Sequence, residues 1–294
     1  RIAEQDVRIR ILGIVLHGLL EACDRPGGDR CLLGLPPVLE HLVGEERGRA
    51  DHQNRVARGG QITFGDRAMY WISRHYLALL NLVMLLYFGL PLLAPVLMNA
   101  GAAGAANVIY TIYKPLCHQF GFRSFFLFGE QAYYPLAEAE IHGVTTFEAA
   151  TGLQDLSNPA GLARFEARQF TGNEEMGYKM ALCERDMAIY SAIFLFGVIY
   201  AVSGRRLKPL HWTLWILIGM GPVGLDGFSQ LFSQMEWSWL EAILPYREST
   251  PFLRVLTGGL FGFATAWFAY PSIEESMAET RQFFVTKFAS VEKN

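Results

Sequence analysis

The apolar run from Tyr76 to Met98 constrains the fold of this chain more than any other feature. It reads YLALLNLVMLLYFGLPLLAPVLM and contains no charged residue. A helix needs about 20 predominantly apolar residues to cross the hydrocarbon core of a bilayer, so the run predicts a membrane-spanning helix. Pro91 and Pro95 lie inside it. Each proline removes a helical donor and clashes with the preceding turn, which predicts a kinked helix.

Further apolar stretches follow in the second half of the chain. The predicted spans are residues 187–202, 210–225 and 253–270. A shorter stretch, residues 105–116, fits a re-entrant or interfacial segment or the end of a bent helix. Charged residues make up 18% of the chain, against roughly 25% in an average soluble domain. The sequence therefore predicts an all-α integral membrane protein, with a bundle of about four transmembrane helices, a short apolar segment and a small external helical cap.

Residues 1–68 differ in composition from the rest of the chain. They hold ten Arg, no Lys or Met, and one aromatic residue, Phe64. A folded domain of that size normally carries several aromatic residues in its core. The apolar stretch 9–20 is too short to span a bilayer, and it lacks the small-residue cleavage site of a signal peptide. We interpret residues 1–68 as a non-native or disordered leader before the membrane bundle of residues 69–272; the alternative is a genuine amphipathic extension.

Basic residues next to the spans predict the orientation. They are Arg67, Arg74, Arg205, Arg206 and Lys208. Lys and Arg are enriched in cytoplasmic loops, so the loop 204–209 and the start of the first span are predicted to be cytoplasmic. In a plasma membrane, four spans then place both termini inside and residues 130–180 outside. The tail, residues 273–294, is predicted to form a cytoplasmic helix.

The predicted external segment contains helix signals of its own. Thr145 and Glu148 have the spacing of a capping box, which satisfies two orphan backbone donors. The residues 157–159, Ser-Asn-Pro, can start a second helix over residues 160–170, with proline in its first turn. That helix is expected to end near residues 172–173, Gly-Asn, which suit a left-handed cap.

Polar and reactive residues stand at the predicted outer ends of the apolar segments. They are Cys117, His118, Gln119, Arg123, Ser124, Cys183, Glu184, Arg185, Asp186, Asp226, Gln230 and Arg254. A charge near hydrocarbon is costly unless it pairs or faces a cavity. Asp226 is therefore expected to meet Arg185 or Arg254. We expect these two arginines and Asp226 to converge with Cys117, His118 and Cys183 in one cluster near the outer membrane surface.

The order of these polar elements resembles a known family. The motifs are CHQ-x3-RSF, CxRD-x3-Y, LDG-x2-Q and an Arg followed by Thr-Gly, all within residues 105–270. They resemble an uncharacterised family of bacterial and archaeal membrane proteins known as a domain of unknown function (DUF2085-like). The resemblance implies these signature residues: Cys117, His118, Gln119, Arg123, Ser124, Cys183, Arg185, Asp186, Tyr190, Asp226, Gln230 and Arg254. Many members have a second Cys where this chain has Asp186, and a shorter external loop. The resemblance implies a fold and a site but no reaction.

Three states of the cysteines are open from the sequence. Cys117, His118 and Cys183 supply ligands that suit zinc or copper, and Asp186 or Asp226 completes a four-ligand shell. A disulfide between the two cysteines is the second state, because disulfides persist in oxidising compartments. Two unpaired thiols in a polar core are the third. None of the four Cys residues forms a CxxC pair, which excludes a zinc ribbon and a thioredoxin-like motif.

Two classes of function stay open. In the first, the outer cluster is a metal-binding or thiol-redox centre, which leaves open whether the protein is an enzyme. In the second, the bundle is a small transporter or a structural subunit of a membrane complex, and the cluster is a polar lock. The net charge of −3 gives no indication of a nucleic-acid partner, and no nucleotide-binding or common hydrolase motif occurs. The lipid bilayer is the predicted partner, and homo-oligomer or membrane-complex partners stay open.

Overall fold

The computed structural model describes residues 61–156, 161–235 and 246–292. Of these, residues 61–71 and 279–292 form one compact unit, and Ile72–Ala278 forms another. Most of the predicted leader, with its apolar stretch 9–20, lies outside the described residues. So do residues 157–159, which were predicted to start a helix, together with residue 160.

Helices make up most of the described chain. In order, the elements are α1 Phe64–Asn99, α2 Ala103–Tyr113, β1 Phe126–Leu127, α3 Phe147–Thr151, α4 Leu162–Gln169, β2 Gly172–Asn173, β3 Gly177–Lys179, α5 Glu184–Val202, α6 Trp212–Leu214, a π-helical segment Trp215–Met220, α7 Gly221–Ser233 and α8 Pro251–Val291. Short 3₁₀ turns cover Gly121–Arg123 and Ala137–Ala139. The predicted class, an all-α integral membrane protein, is confirmed, with few strands.

Three helices in the described part of the chain are long and apolar enough to cross a membrane: α1, α5 and α8. The apolar stretch 210–225, predicted as one span, is divided between α6, the π-helical segment and the start of α7. Pro222 follows the π-helical segment, and its ring would crowd the carbonyl four residues earlier in a regular helix. The wider π turn just before it relieves that crowding.

Prolines inside the long helices create the points where other segments dock. Proline lacks the N–H that would bond the carbonyl four residues earlier, so Pro91 frees Tyr87 O and Pro95 frees Pro91 O. The Tyr113 hydroxyl donates to Tyr87 O at 2.7 Å, and Ala181 N–H donates to Pro91 O at 3.3 Å. Both freed carbonyls are therefore satisfied, as a membrane interior demands.

Pro271 in α8 repeats this arrangement. It frees Trp267 O, which accepts a hydrogen bond from Leu210 N–H at 3.3 Å. The indole N–H of Trp267 donates in turn to Lys208 O at 3.0 Å. The loop before α6 is thus fastened to α8 at the position of the proline.

Two glycines allow α8 to approach α5 closely. A Cβ atom on Gly262 would lie 2.2 Å from Ile189 O, and one on Gly258 would lie 2.7 Å from Arg185 O. Small residues permit such backbone approach in membrane bundles. The neighbouring Gly259 faces the other way and has nothing within 4 Å of its Cβ position.

The bundle core in the unit Ile72–Ala278 is aromatic. Its buried residues from α1, α5 and α8 are Tyr76, Leu77, Phe196, Tyr200, Ala266 and Tyr270. A second core lies within the segment between α2 and α5, with buried residues Phe122, Phe126, Tyr134, Leu136, Phe147, Leu156, Ala167 and Met176. Aromatic side chains of this size supply much of the burial that a small segment needs.

The predicted external segment 130–180 holds two strands of a small three-stranded sheet as well as helices, so its description as purely helical was incomplete. The antiparallel strands lie in the order β1-β3-β2, and Phe126 pairs with Lys179. Gly177 has φ 76°, and a Cβ there would lie 2.2 Å from Leu127 O. Only glycine fits this crossing of two backbones.

The capping prediction was wrong by one residue. Thr146, not Thr145, caps α3, since its side chain accepts from Ala149 N–H at 3.3 Å. Glu148 accepts from Ala137 N–H instead of closing a box. The second predicted helix is α4, and the residues expected to cap it, Gly172–Asn173, form β2.

The predicted tail is the continuation of α8 through Pro271 rather than a separate helix. Within the unit of residues 61–71 and 279–292, Lys287 Nζ pairs with Asp66 Oδ1 at 2.8 Å. The rings of Tyr70 and Phe288 meet edge to face with centroids 5.4 Å apart.

Candidate functional site

The first cysteine lies in a tight turn after α2. Cys117 N–H donates to Tyr113 O at 3.0 Å. Two residues on, Gln119 adopts a left-handed backbone with φ 54°, which costs a non-glycine residue about 1–2 kcal/mol. Its buried amide donates to Tyr110 O at 3.0 Å and to Ala181 O at 2.9 Å. Because Ala181 precedes the second cysteine by two residues, Gln119 ties both cysteine segments together.

The second cysteine is the N-cap of α5. Cys183 has an extended backbone there, without a side-chain capping bond. Its N–H donates to Cys117 Sγ at 3.3 Å. Asp186 follows in the first turn of the same helix. The positive end of a helix dipole favours thiolate and carboxylate groups at this position.

These elements bring three potential metal ligands together. One ligand atom each from Cys117, Cys183 and Asp186 lies within 4.8 Å of the other two. The sulfur atoms of Cys117 and Cys183 stand 3.8 Å apart, and both residues are free thiols. Two sulfur ligands at about 2.3 Å from one tetrahedral ion stand about 3.8 Å apart. The donor set and its spacing therefore fit an ion such as zinc.

His118 does not join this group. Its side chain is exposed and stacks on Phe120, with ring centroids 5.6 Å apart. The adjacent Cys117 is buried, in contrast to His118. His118 nevertheless lines the same cavity as the three ligands.

The two thiols differ in acidity. The Cys183 thiol donates to the Cys117 sulfur, which lowers the pKa of Cys117 and raises that of Cys183. Burial opposes the first shift and adds to the second. Backbone N–H groups of Gln119 and Cys183 also favour the Cys117 thiolate. Cys117 is therefore the more acidic thiol of the pair and loses its proton before Cys183 does.

A cavity of about 300 Å³ opens over the thiol pair. Its lining residues are Leu116, Cys117, His118, Gln119, Phe120, Arg123, Cys183, Arg185, Asp186, Gln230 and Arg254. Of the six residues expected to converge in one outer cluster, all except Asp226 line this cavity. Among the other signature residues, Ser124 and Tyr190 do not line it.

One wall of the cavity rests on a buried carboxylate that the sequence analysis missed. Glu248, with its side chain 1% exposed, accepts from Arg123 Nε at 2.8 Å and also pairs with Arg254. Gln230 Nε2 donates to the same carboxylate at 2.7 Å. Arg254 also forms an ion pair with Glu184, whose Oε2 lies 3.1 Å from Arg254 Nη1. Burial alone would raise the pKa of Glu248, but the two guanidinium groups and the amide bring it below its usual range.

Asp226 anchors a second network. Arg185 Nη2 lies 2.5 Å from Asp226 Oδ2, and Arg247 Nη2 lies 2.8 Å from Oδ1. The Ser249 hydroxyl donates to Oδ2 at 2.7 Å. Of the two partners expected for Asp226, the structure places Arg185 beside it, whereas Arg254 pairs with glutamates. Arg247 and Ser249 were not anticipated.

Two signature residues have packing positions. Ser124 is buried, and its hydroxyl donates to Phe120 O at 2.9 Å within the turn that carries Arg123. Tyr190 lies one turn after Asp186 on α5, and its ring centroid is 4.2 Å from that of Tyr87.

A buried lysine holds the backbone of the segment that contains Cys117 and Gln119. Lys179, fully buried at the end of β3, donates through Nζ to Gln119 O at 2.6 Å and to Arg168 O at 2.7 Å. Its own carbonyl accepts from the Tyr110 hydroxyl at 2.5 Å. Burial lowers the pKa of Lys179 to about 7, while the Cys117 thiolate opposes that shift. Nothing in the sequence around Gly177-Tyr178-Lys179 distinguishes this lysine from an exposed one.

The fold and the site define a helical membrane protein with a thiol–carboxylate group under a polar cavity. Residues 170–268 match a family described as a predicted membrane protein (DUF2085), so the resemblance to that family is confirmed over that stretch, which does not include the motif CHQ-x3-RSF. The uncharacterized protein MJ1492 of Methanocaldococcus jannaschii is 22% identical over 209 residues, which are 68% of this chain and 93% of that protein. No solved structure matches the chain.

Proposed function

We propose that Cys117, Cys183 and Asp186 bind a transition-metal ion, zinc or copper, at the outer end of the membrane bundle. The observation that carries the proposal is the mutual approach of their three ligand atoms within 4.8 Å. Two thiolates suit either ion, and the carboxylate ligand favours zinc over monovalent copper. The N-terminus of α5 supports the negative charge of the ligands.

Three protein ligands leave a fourth coordination position. Catalytic zinc sites keep that position for water or substrate, whereas structural sites fill it with a fourth side chain. His118, on the wall of the same cavity, is the side chain available to fill it. Whether His118 fills the fourth position decides between an enzyme-like open centre and a closed structural centre.

A dithiol redox centre is the second candidate. It is favoured by the lowered pKa of Cys117 beside a second thiol. In that chemistry the Cys117 thiolate attacks a disulfide of a partner and releases one partner thiolate. Cys183 then loses its proton, attacks the Cys117 sulfur and releases the second. The dithiol becomes a disulfide, and the partner disulfide becomes two thiols.

Metal analysis of the purified protein tests the first proposal. We expect about one zinc or copper ion per chain, in a background where Cys23 and Cys31 are Ser so that only two thiols are counted. Cys117→Ser and Cys183→Ser are expected to lose the ion, because sulfur provides most of the binding. His142→Ala, which removes an exposed histidine of the same segment, is the control and is expected to keep it.

The same sample separates the alternatives. Protein without metal whose two thiols react only after reduction identifies the redox centre. Protein without metal whose thiols are free, and in which Cys117 and Cys183 form no disulfide with each other on mild oxidation, contradicts both proposals. The arginine–carboxylate networks would then support the hypothesis that the protein is a small transporter or a structural subunit with a polar lock. Retention of the ion in His118→Ala indicates an open fourth position.

We also propose that the protein lies in the plasma membrane with both termini cytoplasmic and residues 130–180 external. The basic loop 204–209 supports this orientation. In a chain without native cysteines, His142→Cys is expected to react with a membrane-impermeant thiol reagent in intact cells. Arg206→Cys is expected to react only after permeabilisation. The opposite labelling pattern would reverse the orientation.

A further inference from the structure

An apolar groove runs along α8, on a part of the molecule that the cysteine site does not use. Its volume is about 390 Å³, and its lining is almost entirely apolar. On α8 it follows Val255, Gly259, Phe263 and Trp267, which lie four residues apart on one face. At 1.5 Å per residue, this stripe is about 18 Å long. Its length and apolar lining suit one acyl chain.

The floor of the groove is open at a glycine. A Cβ atom on Gly259 would meet nothing within 4 Å, whereas Gly258 and Gly262 are held against α5. The missing side chain at Gly259 therefore widens the groove and serves no helix contact that the described residues show. A larger residue there would begin at a Cβ atom that meets no neighbour, and its side chain would take up space in the groove.

One end of the groove meets a basic loop. Trp267 Nε1 donates to Lys208 O, and Leu210 N–H donates to Trp267 O, so the loop is fastened at this end. Arg206 and Lys208 are exposed, and neither forms an ion pair among the residues that the structure describes. Basic residues beside a pocket between transmembrane helices bind anionic lipid headgroups.

We infer that this groove binds an anionic phospholipid, with one acyl chain along α8 and its phosphate group at Arg206 and Lys208. The charge at one end and the apolar lining along the rest match the two parts of such a lipid. A second copy of the chain would cover the apolar lining but would leave the two cations without a counter-charge. The inference does not depend on the proposed metal site.

Native mass spectrometry of the full-length protein tests this inference. The probes are phosphatidylglycerol and phosphatidylcholine with identical acyl chains, titrated into the detergent-purified protein. We expect one molecule of phosphatidylglycerol to bind more tightly than phosphatidylcholine. Replacing Arg206 and Lys208 by Gln together is expected to weaken phosphatidylglycerol binding by about 30-fold and to leave phosphatidylcholine binding unchanged.

Filling the groove is the second arm of the test. Gly259→Leu is expected to lose the bound lipid while keeping the wild-type melting temperature. Gly89→Leu is the matched control, because it adds the same side chain at a glycine of α1 that also has nothing within 4 Å, and it is expected to keep the lipid. Unchanged lipid binding in Gly259→Leu overturns the inference, as does equal affinity for the two lipids. A dimer that Gly259→Leu dissociates would assign the groove to a second copy and also overturn it.

Discussion

Replacing Glu248 with alanine is expected to lower the free energy of unfolding by about 3–5 kcal/mol, because removing one partner of a buried ion pair leaves an uncompensated buried charge. The side chain of Glu248 is 1% exposed and that of Arg254 is 4% exposed. Unfolding in mixed detergent micelles, followed by circular dichroism, measures the change. Glu174→Ala removes an exposed carboxylate and is the control, with an expected change within about 0.5 kcal/mol.

Asp226→Ala is expected to cost less than Glu248→Ala, although Asp226 also holds two arginines. The side chains of Arg185 and Arg247 are 23% and 34% exposed, so water can solvate the charges that lose their partner. The remaining cost comes mainly from the buried Ser249 hydroxyl, which loses its acceptor. A larger loss for Asp226→Ala than for Glu248→Ala would contradict this ranking.

A double-mutant cycle separates the ion pair from the effect of simple truncation. In a Glu184→Gln background, Glu248→Met combined with Arg254→Met is expected to cost clearly less than the sum of the two single changes, since neither side chain is then left buried without the other. This background is needed because Glu184 pairs with Arg254 and would otherwise keep a buried charge without that partner in the double variant. Strictly additive changes would show that Glu248 and Arg254 are not coupled.

The bundle could be predicted from the sequence because a membrane span is recognised from the length and hydropathy of a local apolar run. The spans became α1, α5 and α8 for this reason. The division of residues 210–225 into an α-helical and a π-helical part was not predicted. It depends on how one proline, Pro222, is accommodated locally. The strands were not predicted for another reason. Runs of two or three residues such as Gly177–Lys179 are too short to show an alternation of apolar and polar residues.

The site could be predicted only in part, since burial of a charged residue leaves no local mark. Glu248 lies in a run, Tyr-Arg-Glu-Ser-Thr-Pro, that reads as a solvated connection before α8. No helix or strand pattern indicates the left-handed backbone of Gln119, the residue that follows His118. The position of Cys117 beside Cys183 depends on bonds to Pro91 O and Ala181 O, which are visible only once the fold is known.

Lys179 is expected to make the protein more stable as the pH rises from 7 to 10.5. Burial lowers the pKa of Lys179 from its ordinary value of 10.5 to about 7 in the folded protein, whereas in the unfolded chain it keeps the ordinary value. Between these two values the unfolded chain binds the proton and the folded chain does not. Raising the pH therefore removes a proton that favoured unfolding.

The full difference corresponds to about 5 kcal/mol, at about 1.4 kcal/mol for each pKa unit, and the opposing Cys117 thiolate reduces it while that thiol is ionised. Unfolding measured across this pH range in wild type and in Lys179→Met isolates the contribution, because other titrating groups are common to both. We expect the stability difference between the two proteins to shift in favour of wild type as the pH rises. Lys208→Met removes an exposed lysine and is expected to show no such shift. A pH-independent difference for Lys179→Met would mean that Lys179 keeps its proton in the folded protein, with its charge held by the carbonyls of Gln119 and Arg168.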